Sequence, residues 1–205
     1  MSRTSRKYAF AQITLGALAH VFFGYRCEGQ ENVPADGPCL FAANHKSYLD
    51  PPLLGAGAPR EIHYFAKKEL FRLPLFGPMI RGYGAIPIDR DGFDRQGIEQ
   101  ALQVLERGEA LLVFPEGTRI RRAGFAEPKV GIGLLALRSG APVVPVYLAS
   151  TWEPRRRWLR RIPVCVRFGA PLRFARMAPG PAARARYHEV ALSVMAAIAA
   201  LSEPK

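Results

Sequence analysis

The sequence predicts a single α/β domain with a largely parallel central sheet flanked by helices, preceded by an N-terminal helical segment. Short apolar runs alternate with helical patterns from about residue 37 onward, which is typical of parallel strands joined by helices. Several runs are apolar at successive positions, as expected for strands covered by helices on both faces. A chain of 205 residues is long enough for one such domain, and no repeat or low-complexity linker divides it.

The candidate strands are the apolar runs themselves. We place them at residues 39–43, 62–66, 85–89, 110–115, 143–148 and 164–168. Pro145 interrupts the fifth run, and because proline has no backbone N–H it predicts a bend or an edge position there.

The candidate helices lie between and after these runs. The clearest covers residues 94–107, where apolar side chains share one face and Gly108 ends the pattern. Two more are predicted at residues 130–139 and 182–201. Asp50 is followed by two prolines, which suits the start of another helix with Asp50 as its N-cap.

The N-terminal segment combines basic and apolar residues. Basic side chains precede an apolar run over residues 8–25, and three polar side chains interrupt that run: Gln12, Thr14 and His20. The run is short for a membrane span, so we favour a helix lying in the membrane interface, on the cytoplasmic face. An ordinary buried helix and a true span or signal peptide are the alternatives.

The charge balance indicates an anionic partner. Lysine and arginine number 29 against 17 acidic residues, a formal net charge of +12. Nucleic acid, an anionic membrane surface and a phosphorylated substrate all fit this excess, but no zinc-finger, RNP or basic-zipper pattern supports the first. The three cysteines form no C-x-x-C pair, so neither a zinc site nor a disulfide framework is indicated, and a reducing compartment is the simpler expectation.

One polar motif follows the first candidate strand. N-H-K-S-Y-L-D, residues 44–50, places His45 just beyond the carboxyl end of that strand and Asp50 at the start of the next helix. Ligands of open α/β sheets bind at the carboxyl ends of strands. The motif is therefore either an acid–base pair or a polar turn, and alone it does not decide between them.

Three further segments place polar or glycine residues at strand ends. They read G-A-I-P-I-D-R (84–90), F-P-E-G-T-R (114–119) and V-V-P-V-Y-L (143–148). Arg90 and Arg119 suit bidentate binding of a phosphate, and Gly117 allows backbone N–H groups to approach an anion. A surface ion pair of Arg90 with Asp89 or Asp91 and an ordinary turn at residues 115–118 are the alternatives.

Together the four segments resemble, in content and order, the glycerolipid acyltransferases that include 1-acylglycerol-3-phosphate acyltransferase. The family's His-x4-Asp, its glycine-rich block ending in arginine, F-P-E-G-T-R-S and V-P-V correspond to the four segments above, over roughly residues 25–170. Ile120 stands where the family often has serine, and Pro87 replaces a common aromatic residue. Lys129 is similar to the lysine that follows the third block. The resemblance implies an acyltransferase domain over residues 26–205 after an interfacial segment over residues 1–25.

The resemblance implies direct acyl transfer, for which His45 is the candidate base and Asp50 its orienting partner. It implies that Glu116, Gly117, Thr118 and Arg119 help to bind the acceptor, with Arg90 near its phosphate and Lys68 as a further phosphate ligand. Ser47 is interpreted as turn chemistry, since the nucleophile belongs to the substrate. No cofactor or metal is expected beyond acyl-CoA or acyl carrier protein as donor.

The predicted activity is phospholipid biosynthesis at a membrane, with 1-acyl-sn-glycerol 3-phosphate acylated to phosphatidic acid. Two mixed apolar and basic stretches, residues 70–84 and 155–161, fit a substrate that lives in a membrane; a core helix and a solvated basic loop are their alternatives. Another acceptor such as lyso-ornithine lipid, thioester hydrolysis, and a non-catalytic basic protein that binds lipid or nucleic acid remain the competing functions.

Overall fold

The computed structural model of the chain describes residues 5–89, 94–151 and 162–202. Within these ranges the strands are β1 (Arg26–Glu28), β2 (Cys39–Ala43), β3 (Ile62–Lys67), β4 (Ala85–Ile88), β5 (Ala110–Val113), β6 (Val143–Ala149) and β7 (Cys165–Phe168). The α-helices are α1 (Arg6–Phe23), α2 (Asp50–Gly57), α3 (Phe76–Gly82), α4 (Arg95–Glu106), α5 (Gly131–Ser139) and α6 (Pro181–Ala200), and short 3-10 turns cover Gln30–Asn32 and Lys68–Arg72.

The described strands form one mostly parallel sheet. Their order is β1-β7-β6-β2-β5-β3-β4, and β6 and β7 are the antiparallel pair. An α-helix lies between each pair of successive strands from β2 to β6, as parallel connections require. The prediction of a single α/β domain around a largely parallel sheet is confirmed.

Both faces of the sheet are covered. Leu40 and Ala42 of β2 pack with α4, α5 and α6, while Phe41 and Ala43 pack with α1 and α2 on the opposite face. Every residue of β2 and of β5 is buried, which explains why these strands lack alternation in their sequences. The carboxyl ends of β2 and β5 meet at one edge of the sheet, because the two strands are parallel neighbours.

Two local expectations are corrected. β1 was not predicted, since R-C-E carries no apolar run; it forms by pairing with β7. The predicted bend or edge at Pro145 is wrong, because β6 runs unbroken between β2 and β7. The Pro145 carbonyl accepts a hydrogen bond from Gly169 N, just past the end of β7. The N–H that proline lacks therefore removes only one hydrogen bond, at the end of the β6–β7 pairing.

Helix α1 lies against α2. Tyr8 and Ala19 are its buried side chains, and the Gln12 amide donates to the carbonyls of Gly55 and Ala58 near the end of α2. The predicted division at residue 25 stays a prediction. Among the described helices, none is long and apolar enough to cross a membrane.

The stretch over residues 70–84 is not the core helix that one interpretation allowed. It folds as the end of a 3-10 turn followed by α3. Gly77 and Ile80 are the buried residues of α3, and Ile80 packs with Ala66 and Ala85 in a small cluster. Most of its large apolar side chains are exposed.

Candidate active site

The site begins where β2 leaves the sheet. Asn44, fully buried, follows the last residue of β2, and its side-chain amide donates to Leu148 O (3.1 Å) and accepts from Leu148 N (2.7 Å). These two bonds reproduce a rung of the β2–β6 ladder with a side chain. The backbone is thereby released from the sheet, and the next residue, His45, turns away from it.

His45 and Asp50 are in direct contact. Nδ1 of His45 lies 2.8 Å from Oδ2 of Asp50, and both side chains are buried. A carboxylate only accepts hydrogen bonds, so Nδ1 carries the proton of this bond. Nε2 is therefore the ring nitrogen left to take a proton from a hydroxyl.

The Asp50 carboxylate also holds the turn between the two residues. Its Oδ2 accepts from the backbone N–H groups of Lys46 (2.6 Å) and Ser47 (2.7 Å). Leu49 is the N-cap of α2 and Asp50 is its first residue, so the predicted N-cap role of Asp50 is wrong. The carboxylate faces back into the turn, where three donors converge on one oxygen.

Phe114 fixes the plane of the imidazole. The two rings stack with centroids 4.0 Å apart and planes inclined by 17°. Phe114 follows β5, the strand beside β2, so the stack forms only when these strands pair. The ring of His45 is thus held by Asp50 at its edge and by Phe114 at its face.

Glu116 joins the third sequence block to the turn. It is buried, its Oε1 accepts from His45 N (2.9 Å) and its Oε2 accepts from Ala126 N (2.9 Å). The His45 carbonyl in turn accepts from Ile120 N (2.8 Å). Both backbone groups of His45 are therefore bonded to residues 116–120.

The residues after Glu116 are partly exposed. Gly117 has φ +68°, a conformation that favours glycine, whereas a Cβ there would meet only the flexible end of the Lys129 side chain. Thr118 is exposed. The guanidinium of the half-buried Arg119 lies over the Tyr48 ring, 3.3 Å from its centroid.

Lys46 fastens the loop that follows. Its Nζ donates to the carbonyls of Arg122 (2.8 Å) and Gly124. Burial against this loop lowers the pKa of Lys46, because desolvation disfavours the charged form. The ammonium group thus connects the turn that carries His45 to residues 122–124 by hydrogen bonds.

One predicted phosphate ligand, Lys68, lies further along the same edge. Lys68 follows β3, is exposed, and pairs through Nζ with Oδ2 of Asp89 after β4; this hydrogen bond raises the pKa of Lys68. Arg90 lies outside the described residues, as does the basic stretch 155–161. The structure thus brings together His45, Asp50 and Glu116, with Arg119 one turn away.

Four contributing side chains were missed as individual residues: Asn44, Lys46, Tyr48 and Phe114. All four lie inside the quoted motifs. Their contacts, however, join positions far apart in the chain, such as Asn44 with Leu148 and Lys46 with Arg122, separated by 104 and 76 residues. The spacing of residues within a motif does not predict contacts between positions so far apart in the chain.

The chain is similar to known proteins in sequence and in fold. The sequence matches the model of the acyltransferase family over residues 24–149. It is 33% identical over 139 residues to a 1-acyl-sn-glycerol-3-phosphate acyltransferase of Bacillus subtilis, covering 67% of this chain and 69% of the relative. A lyso-ornithine lipid O-acyltransferase of Pseudomonas aeruginosa is 37% identical over 113 residues, covering 55% of this chain and 43% of the relative.

The fold also matches a solved structure, the 1-acyl-sn-glycerophosphate acyltransferase of Thermotoga maritima. The TM-score is 0.72 at 24% identity, covering 97% of this chain and 80% of that one. The chain therefore belongs to the acyltransferase family and is an O-acyltransferase, which confirms the resemblance stated above. It spans 69% of the Bacillus relative but 42% of the chloroplast relative from Brassica napus.

Proposed function

We propose that this acyltransferase moves a fatty acyl group from a thioester donor, acyl-CoA or acyl carrier protein, to the free hydroxyl of a lysophospholipid. The acceptor proposed is 1-acyl-sn-glycerol 3-phosphate, and the product is phosphatidic acid, a step of phospholipid biosynthesis. The observation that carries the proposal is the 2.8 Å contact of His45 Nδ1 with Asp50 Oδ2, which leaves Nε2 to act as a base.

The mechanism follows from that contact. His45 Nε2 takes the proton of the acceptor hydroxyl as its oxygen attacks the thioester carbonyl carbon, and Asp50 stabilises the imidazolium that forms. The tetrahedral intermediate collapses with cleavage of the carbon–sulfur bond. The imidazolium returns its proton to the leaving thiolate, so the histidine ends neutral and no enzyme nucleophile is consumed.

The acceptor is held by the third block in this proposal. Arg119 supplies a planar guanidinium suited to a phosphate, and Thr118 supplies an exposed hydroxyl beside it. Gly117 has no Cβ, so the acceptor can approach the backbone closely at this position. Glu116, with both carboxylate oxygens on backbone N–H groups, supports the acceptor site through the turn that it holds. Lys68 and Arg90 complete the phosphate-binding side.

Helix α1 attaches the enzyme to the membrane in the same proposal. Phe10, Ile13 and Val21 are each more than 70% exposed, while Arg6 and Lys7 at its start provide positive charge. A helix with large apolar side chains facing outward and basic residues at one end suits the interface of an anionic bilayer. We place the enzyme on the cytoplasmic face of the cell membrane, attached without spanning it.

The decisive experiment supplies purified enzyme with acyl-CoA or acyl carrier protein and a set of lyso-acceptors. Mass spectrometry of the lipid products should show phosphatidic acid, and His45→Ala should lower kcat by about 10²-fold to 10⁴-fold. Phosphatidic acid formation that persists in His45→Ala would remove His45 as the base. Thioester hydrolysis without transfer to any acceptor would contradict the proposed reaction.

One second acceptor is supported by an observation. The similarity to the lyso-ornithine lipid O-acyltransferase makes lyso-ornithine lipid the alternative. That acceptor has no phosphate, so the two are separated by Arg119→Gln. This change should raise the KM for 1-acylglycerol 3-phosphate and leave the KM for lyso-ornithine lipid unchanged.

A further inference from the structure

A short lobe at the active-site edge exposes large apolar side chains. We define the α3 lobe as residues 70–81, which follow β3. Within it Leu73 is 48% exposed, Leu75 89%, Phe76 40% and Met79 48%. Several large apolar side chains exposed close together in the chain indicate an interaction site.

The tip of the α3 lobe is strained. Leu75 has φ +66° and ψ −48°, and Phe76 N donates to Pro74 O at 2.7 Å. This is a γ-turn of the rare form with positive φ, which is unfavourable for a leucine. The turn has Leu75 at its central position, and Leu75 is the most exposed of the large apolar residues in the described part of the chain.

Positive charge flanks this apolar tip along the chain. Residues 67–84 carry four cations, Lys67, Lys68, Arg72 and Arg81. Lys67 pairs with Glu69 and Lys68 with Asp89, so the two arginines are the cations nearest to the tip in sequence. Arg72 and Arg81 are exposed at either end of the lobe, and the Arg81 guanidinium lies 5.5 Å from the centre of the Phe71 ring. Exposed apolar side chains with an arginine on either side along the chain match the acyl and headgroup layers of an anionic bilayer.

The α3 lobe lies on the same face of the sheet as α1. Alternate residues of a strand share a face, so Ile62, Tyr64 and Ala66 of β3 point to one side. Ile62 packs in the core beneath α1 and α2, and Ala66 packs with Ile80 of α3. The half-buried Phe114, on which His45 stacks, belongs to that same core.

We propose that the α3 lobe is a second membrane-contact surface, separate from α1, that inserts Leu75, Phe76 and Met79 into the headgroup–acyl boundary of an anionic bilayer. The proposal rests on the proposed function only in naming the lipid surface. Two contacts on one face of the sheet fix the orientation of the enzyme, whereas one helix alone leaves it free to rotate. The face that carries His45 is thereby turned toward the bilayer, from which a lyso-acceptor enters.

Leu75→Gly tests this without risk to the fold. Glycine adopts positive φ freely, so the variant should be as stable as wild type or more so. Its partition onto vesicles of phosphatidylcholine and phosphatidylglycerol, measured by sedimentation, should fall about tenfold, since the loss of one inserted leucine has about that effect. Met79→Ser should lower the partition in the same direction.

The matched control is Leu192→Ala. Leu192 is 46% exposed, but α6 packs on the opposite face of the sheet, so vesicle binding should not change. Arg72→Gln and Arg81→Gln should weaken binding to the anionic vesicles and leave the weaker binding to pure phosphatidylcholine unchanged. An equal fall for Leu192→Ala and Leu75→Gly would overturn the assignment of the α3 lobe.

Other outcomes also decide the proposal. Unchanged vesicle binding in Leu75→Gly and in Met79→Ser would overturn it, and a change of oligomeric state without a change in vesicle binding would assign the lobe to self-association instead. Activity on a water-soluble short-chain acceptor should be retained in Leu75→Gly. If wild type acylates no lysophospholipid yet shows the predicted vesicle binding, the proposed function fails and the membrane surface stands.

Discussion

The guanidinium carbon of Arg119 lies 3.3 Å from the centre of the Tyr48 ring, which joins the proposed acceptor ligand to the turn that carries His45. Tyr48 is 74% exposed, so its ring is not a core residue. Stacking holds the guanidinium plane while leaving its N–H edge free for an anion.

Tyr48→Leu should raise the KM for a phosphorylated acceptor about fivefold with little change in kcat, because a cation over an exposed ring contributes about 1 kcal/mol. Tyr48→Phe keeps the ring and should behave as wild type. Steady-state kinetics with varied acceptor measure both. Similar KM values for the leucine and phenylalanine variants would show that the ring does not position Arg119.

Asp50→Asn should remove the negative charge of the side chain while keeping its size and its position in the turn. Asparagine keeps an oxygen where Oδ2 accepts three hydrogen bonds, and its amino group replaces Oδ1, which has no hydrogen-bond partner among the described residues. Loss of the negative charge removes stabilisation of the imidazolium, so kcat should fall about 100-fold or more.

Ser47→Ala is the control in the same turn. The Ser47 hydroxyl accepts from Leu49 N at 3.2 Å, and its loss should leave kcat unchanged. A large loss of kcat in Ser47→Ala, or a covalent acyl-enzyme trapped on Ser47, would replace direct transfer by a serine nucleophile.

Glu116→Gln should act on kcat and on stability. The amide presents an amino group to one of two backbone N–H donors, His45 N or Ala126 N, and leaves that donor buried and unpaired. The free energy of unfolding should fall by about 1–3 kcal/mol. The kcat should also fall, because the His45 turn loses an anchor, while the acceptor KM changes little.

Glu127→Gln, at a highly exposed neighbouring carboxylate, is the matched control and should change neither quantity. A raised acceptor KM with normal kcat and normal stability in Glu116→Gln would instead make Glu116 a direct acceptor ligand.

Asn44→Ala should destabilise the fold at the start of the site. It leaves the N–H and C=O of Leu148 buried without their partner, so urea denaturation should show a loss of about 2 kcal/mol or more. Asn32→Ala removes a single bond to Phe168 O at a half-buried position and should cost less. Equal losses in the two variants would contradict the rung role of Asn44.

Asp94 gives a pH-dependent contribution to stability. Its carboxylate accepts from Asp89 N (2.7 Å) and, as the N-cap of α4, from Gly97 N (2.8 Å); these bonds lower the pKa of Asp94 below its usual range. A lowered folded-state pKa means that the charged form stabilises the fold, fully above about pH 4. The contribution is lost as the pH falls through the lower folded-state pKa.

Asp94→Asn keeps a capping side chain without a charge. The difference in free energy of unfolding between wild type and Asp94→Asn should therefore favour wild type near neutrality and shrink in acid. Denaturation at a series of pH values measures it. A difference that stays constant from neutral pH into acid would show that the charge of Asp94 contributes nothing.

The local pattern of apolar and polar residues was sufficient to predict most of the strands and helices. β2 and β5 are continuous apolar runs, and α4 has one apolar face bounded by Asp94 and Gly108, so sequence alone locates them. β1 was missed because R-C-E owes its conformation to β7 and not to its own residues. The bend or edge predicted at Pro145 was wrong because the effect of a proline on a strand depends on which neighbouring strand its missing N–H would face.

The pairing of His45 with Asp50 was within reach of the sequence, since only four residues separate the two. The contacts that hold His45 and Asp50 in place could not be predicted from the sequence. Phe114, Glu116 and Asn44 act through partners on other strands, and that proximity exists only in the assembled sheet. Arg119 was singled out as an anion ligand, whereas its contact with Tyr48 depends on how two turns approach each other.

The position of β5 in the sheet also sets the order in which the enzyme becomes competent. β2 and β3 are not hydrogen-bonded to each other; β5, which comes later in the chain, lies between them. The base sits after β2, but Phe114 and Glu116 arrive only behind β5, with His45 and Glu116 separated by 71 residues. A growing chain that ends before residue 116 therefore holds His45 and Asp50 without the residues that align them. Alignment of the base therefore requires β5 to close the middle of the sheet, a contact that carries the loop-closure cost of 71 residues of chain.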